Sequence, residues 1–144
     1  MKYIQKVIPE VTTPEEWKGN KISTIRALAL ATTKKLYEND TIINEDIGIH
    51  IHILTGGIRK TAYGGAIYYK KAVSLLILPE ILRYARYNNF GERKEKDPSS
   101  VIGYLNFACK CKIDGKIENL RVAVQFKNDG KFYYNIEINK IEKK

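Results

Sequence analysis

The sequence predicts an α+β fold in which N-terminal helices pack on one face of a C-terminal antiparallel meander sheet. Three observations carry this. Residues 101–139 alternate apolar and polar side chains around two turn signals. Residues 21–38 carry an apolar stripe at three- and four-residue steps. The chain has 144 residues and a 44% apolar share, enough for one core without disulfide or metal staples. A single domain is expected: a leader and short helix over 1–20, a helical half with one strand and a glycine-fenced basic loop over 21–100, and the meander over 101–139.

Taken in order, residues 1–11 read as a leader carrying at most an edge strand. Thr13-Pro14-Glu15-Glu16 has the form of a capping box, with Thr13 as cap and Pro14 at the first helical position. The turn it opens ends at Gly19-Asn20, and Trp17 is expected to dock it on the core. The helix over 21–38 presents Ile22, Ile25, Leu28, Ala29, Thr32 and Leu36, carries Lys34 and Lys35 in its last turn, and stops at Asn39-Asp40. Residues 47–54 alternate as a half-buried strand, with Ile49, Ile51 and Ile53 inward and His50 and His52 on the wetter side.

Next comes Thr55-Gly56-Gly57-Ile58-Arg59-Lys60-Thr61-Ala62-Tyr63-Gly64-Gly65, read as a loop because glycine pairs permit positive φ and close approach of a ligand. Residues 67–87 read as two helical pieces, the second opened by Pro79. Residues 88–100 read as a charged, flexible, protease-sensitive connection. In the meander, Leu105, Phe107, Cys109, Cys111 and Ile113 form the apolar face of the first strand. Leu120, Val122, Val124 and Phe126 do so in the second, and Phe132, Tyr134, Ile136 and Ile138 in the third. Cys109 and Cys111 share the inward face, so buried reduced thiols are expected and not half of a zinc site.

Charge narrows the function. The net charge is +9, and by residue ranges it is 0 over 1–50, +5 over 51–100 and +4 over 101–144. Such asymmetry suits a polyanionic partner, though a solvated lysine-rich surface has the same composition. RNA is the expected partner, with a cognate inhibitor or host defence protein as the alternative. No apolar run reaches bilayer length and Met1–Lys6 lacks the core of a secretory signal, so no membrane partner and a cytoplasmic location are expected. The segment lacks the Gly-Lys-Ser/Thr ending of a P-loop, so ATP is not expected, nor is any cofactor or metal.

Metal-free RNA cleavage needs a base for the 2′-hydroxyl, a proton donor for the leaving oxygen, and fixed positive charge at the phosphate. The candidate catalytic set is His52 for proton transfer, Arg59, Lys60 and Arg121 as a phosphate clamp, and Thr61 and Tyr133 as hydrogen-bond partners. Tyr63, Tyr104, Lys110, Lys112, Gln125 and Lys127 are the candidate nucleic-acid contacts, since cations mixed with aromatics and amides grip phosphates and stack bases. Each also has a plain alternative: a solvated turn at Arg59-Lys60, role-free strand histidines, and an ordinary wet sheet face.

Gly56-Gly57-Ile58-Arg59-Lys60-Thr61, the Leu/Ile-rich helix from Leu75 to Tyr87, and the strands with Tyr104-Leu105-Asn106-Phe107 and Arg121-Val122-Ala123-Val124 together resemble a known family. It is that of the large polyvalent-protein-associated domains of phages and conjugative elements, and the likeness covers 47–138. The helix-then-meander order is also similar to the barnase–EndoU–colicin–RelE-like ribonuclease superfamily. That resemblance implies catalytic residues on the polar face of the sheet and a metal-independent endoribonuclease-like activity. The alternative is a non-catalytic module that binds nucleic acid or inhibits a host defence protein, or an accessory domain whose charge is incidental.

Overall fold

In the computed structural model, which describes residues 4–64, 69–136 and 138–140, the predicted meander is the spine of a larger mixed sheet. Strands β5 (Val101–Ile113) and β6 (Lys116–Lys127) run antiparallel over almost their full length. They are joined at Asp114-Gly115, where φ is 50° and 81°, the geometry of a tight two-residue hairpin. Gly130 (φ 80°) turns the chain into β7 (Phe132–Tyr134).

Strand β7 pairs antiparallel with β6 on one side and parallel with β3 (His50–Ile53) on the other. The predicted strand at 47–54 therefore enters the sheet beyond the meander. It is followed outward by β2 (Thr41–Ile43), too short to stand out in the sequence. On the opposite side, β1 (Glu10–Val11) lies parallel to the end of β5, the edge position anticipated for the leader. A short strand β8 (Asn139–Lys140) pairs with Leu120 and Arg121 of β6.

The apolar face of β5 and β6 is buried as the alternation requires. Burial raises the thiols of Cys109 and Cys111 to about 12 each, so both stay protonated at neutral pH. This face is covered by α1 (Ile22–Tyr37), α2 (Thr55–Tyr63), α3 (Tyr69–Ser74) and α4 (Leu78–Tyr84), with Pro79 in the first turn of α4 as predicted. Residues 67 and 68 of the predicted helical stretch lie outside the described residues.

Four readings are corrected. The glycine-fenced segment is the helix α2 and not a loop; its inner face is Gly57, Ile58, Thr61 and Ala62. The first glycine pair is there for packing: a Cβ on Gly56 would strike the Asn135 side chain, and one on Gly57 would lie 2.7 Å from the Tyr134 ring and carbonyl. Gly64 caps the helix, and Gly65 lies outside the described residues.

Second, the connection after α4 is not a flexible loop throughout. Residues Arg86–Glu92 form β4, antiparallel to β5, and the predicted second helix ends at Tyr84. Third, Thr13 closes no capping box. Its N–H and hydroxyl both donate to Asp114, at 2.7 Å each, which ties the single turn of 3₁₀ helix at Glu15–Trp17 to the β5–β6 hairpin. Trp17 is buried, as expected. Fourth, α1 is rotated relative to its predicted stripe: Ile25, Ala29 and Thr33 face the core, while Leu36 is 53% exposed. No described helix is long and apolar enough to cross a membrane.

Candidate nucleic-acid interface

Residues paired across neighbouring strands share a face, so register alone assembles a polar row. His52 of β3 lies opposite Tyr133 of β7, Tyr133 opposite Gln125 of β6, and Gln125 opposite Tyr104 of β5. Next along the face come Ala123 opposite Asn106, then Arg121 opposite Ala108. These residues alternate with the buried set, and only because the first face is apolar are they held outward.

Over this face lies a cleft of about 500 Å³. Its floor is Tyr104, Asn106, Arg121, Ala123 and Gln125. Gly91 and Glu92 of β4, with Lys94 and Asp97 of the following turn, form one wall. Lys60 of α2, with Ile136 and Asn139, forms the other. Helix α2 brings Lys60 here because Gly56 and Gly57 let it sit directly on the end of β7.

The floor is crossed by a hydrogen-bond relay. Lys60 Nζ donates to the Asn135 carbonyl (3.0 Å), and Asn135 Nδ2 donates to Gln125 Oε1 (3.2 Å). Gln125 in turn bonds Tyr104, whose phenol donates to Asp97. Partial burial and then the Asp97 bond raise Tyr104 to about 12, while the Tyr104 bond holds Asp97 below the usual carboxylate range. Tyr104 is therefore a hydrogen-bond donor at neutral pH, with its ring and hydroxyl fixed.

Of the predicted catalytic set, Lys60 and Arg121 meet in this cleft from positions 61 residues apart in the chain. Arg59 does not line it. It lies on the outer side of α2 in a shallow neighbouring hollow with Tyr63, Gly64 and Ile136, which Lys60 and Ile136 share with the cleft. Thr61 is fully buried, with its hydroxyl bonded to the Tyr134 hydroxyl and accepting from the Ile138 N–H at 2.9 Å. It is a packing residue, out of reach of a substrate.

Tyr133 and His52 stand beside the cleft. The Tyr133 hydroxyl donates to Asp129 at 2.6 Å, which raises its titration, and Lys127 Nζ lies 4.8 Å from its ring centre. His52 packs at 5.5 Å, ring to ring, against Tyr133, and its Nδ1 bonds the Thr41 hydroxyl at 2.9 Å. Of the predicted contacts, Tyr104 and Gln125 line the cleft, although Gln125 is nearly buried by its relay partners. Lys110 and Lys112 lie further along β5, Lys112 opposite Glu10 of β1. Among the described residues, no three His, Cys, Asp or Glu side chains gather where a metal ion could be held.

Sequence reasoning missed the wall formed by Glu92, Lys94 and Asp97, since it placed them in a mobile connection. The available signal was the aromatic spacing Tyr87…Phe90 ahead of Gly91, faint because edge strands are polar on both sides.

No curated protein and no solved structure is significantly similar to this chain. A family model described as large polyvalent protein-associated domain 3 matches residues 20–134, ending on the last residue of β7. With four-fifths of its residues so matched, from the start of α1 through the whole sheet spine, the chain belongs to the large polyvalent protein-associated domain 3 family, a domain of the polyvalent proteins of phages and mobile elements.

Proposed function

We propose that this domain is a nucleic-acid-binding module that grips a phosphodiester backbone in the cleft between α2 and the polar face of β5 and β6. The observation that carries this reading is the convergence of Lys60 and Arg121 on one cleft with Tyr104 and Asn106. Cations there neutralise phosphate, a held phenol ring stacks a base, and the amide offers hydrogen bonds to base edges. Glu92 and Asp97 on one wall favour single contacts placed toward Lys60 and Arg121.

The expected result is measurable by fluorescence anisotropy with labelled RNA. Binding should weaken steeply with salt, and Lys60→Ala or Arg121→Ala should each weaken it about tenfold, equivalent to roughly 1.4 kcal/mol. Unchanged affinity in both variants would overturn the reading.

A ribonuclease reading is favoured by one observation, the row that runs from Tyr104 through Gln125 and Tyr133 to His52. It would make His52 the acid/base group, roughly 10 Å, or two strand spacings, from Gln125. Against it, Tyr104 and Tyr133 are both raised and so are poor bases, and Thr61 is inaccessible. Incubation of the protein with RNA in EDTA separates the two. Intact RNA supports binding alone, whereas cleavage lost in His52→Ala supports the enzyme.

A further inference from the structure

We infer that the interface continues past the cleft and that its ligand is a single nucleic-acid strand lying lengthwise on β5 and β6. The inference rests on the nucleic-acid reading above and names the form of the ligand. Register sets Arg86 of β4 opposite Ala108 of β5, and Ala108 opposite Arg121 of β6, so the two arginines flank a small residue in one row. In the next row on the same face, Lys110 lies opposite Asn119.

A second cavity of about 570 Å³ is lined there by Arg86, Ala108, Lys110 and Asn119 of the sheet and by Ile4, Gln5 and Ile8 of the leader, so it starts at the row where the first cleft ends. It holds two cations and no carboxylate. Arg86 and Lys110 are exposed and, with Arg121, have no ion-pair partner among the described residues. Lys110 is also a fixed post: Gln5 bonds its backbone through both amide atoms, at 2.7 and 2.9 Å.

The dimensions select a single strand. Ala108 and Ala123 keep the floor low, and the arginines that flank Ala108 are two strand spacings apart, roughly 10 Å. One phosphodiester chain fits between these two side chains, whereas a duplex would rest on top of them. From Tyr104 to Lys110 the track is about 20 Å long at ~3.3 Å per residue, which places it at the low end of single-strand site sizes.

The test uses the full chain and labelled oligouridine and oligothymidine of about two and about six nucleotides, with a hairpin duplex as the double-stranded control. The longer single strands should bind at least tenfold more tightly than the shorter ones and than the duplex. The double variant Arg86→Ala/Lys110→Ala should erase the gain from length, bringing the longer strands down to the affinity of the short ones. It should also flatten the salt dependence of the longer ones by about 1.4 in log–log slope, ~0.7 per lost contact. Equal binding of long and short strands, of duplex, or of variant and parent would overturn the extended track while the cleft stands. Absence of binding by any oligomer would overturn both. Because both residues are exposed, an unchanged melting temperature verifies that the variants fold.

Discussion

Asn44 makes four side-chain hydrogen bonds. Fully buried, it donates to the Leu82 and Ala85 carbonyls at 2.9 Å each and accepts from the N–H groups of Asp46 and Ile47. Asn44→Ala would leave four backbone groups short of a partner, and should destabilise by about 3 kcal/mol, read as a lower urea midpoint. Gly57→Ala drives a methyl into the Tyr134 ring and carbonyl and should destabilise by roughly 1–3 kcal/mol, whereas Ala at an exposed α2 position should not. Cys109 and Cys111 make a pH prediction. Their folded values of about 12 exceed the ordinary 9.0, so the folded state holds the thiol proton more tightly. Stability from these groups is complete below about pH 9 and is lost as pH climbs from there toward 12, with Tyr104 adding from about 10 upward. Urea midpoints that stay level between pH 9 and 11 would contradict this.

At the scale of elements, the meander was legible because a period of two over more than ten residues has no other explanation when one face is dry. Helix α2 was not, since two glycines in nine residues argue against a helix on propensity; packing on β7 overrode propensity, and the only helical mark was Ile58, Thr61 and Ala62 at three- and four-residue spacing. For the same reason Lys60 could be picked out as a basic candidate while its route to the cleft with Arg121 was invisible. Strand β4 escaped because its partner supplies the pairing and its own residues, Asn88 to Gly91, read as a turn. A digestion distinguishes the two accounts of that stretch. Chymotrypsin should spare Phe90, whose backbone is held in the β4–β5 ladder although its ring is exposed, while trypsin cuts the native protein at Arg93, Lys94 or Lys96. Early cleavage after Phe90, seen by mass spectrometry, would contradict the strand.

For the molecule as a whole, the arrangement divides labour between two faces of one sheet. Helices and the apolar face supply stability, and the opposite face, with β4 and α2 as rims, carries the charge. Part of the positive excess after residue 50 thus finds a location: Lys60, Arg86, Lys94, Lys110 and Arg121 open onto two neighbouring cavities. Strand β7 is the keystone, because among the described residues β3 and β2 reach the rest of the sheet only through it. A chain cut before Phe132 should lose cooperative unfolding and elute as aggregates in size exclusion, since β3 and β6 would both present bare edges. Synthesis imposes the same condition on every nascent copy. Ile51 leaves the ribosome 81 residues ahead of its partner Phe132, a wait of roughly 4–16 s at ~5–20 residues per second. Through that interval the early half of the protein is an unfinished edge in a crowded cell, and a pause introduced upstream of codon 132 should raise the insoluble fraction without altering a single residue.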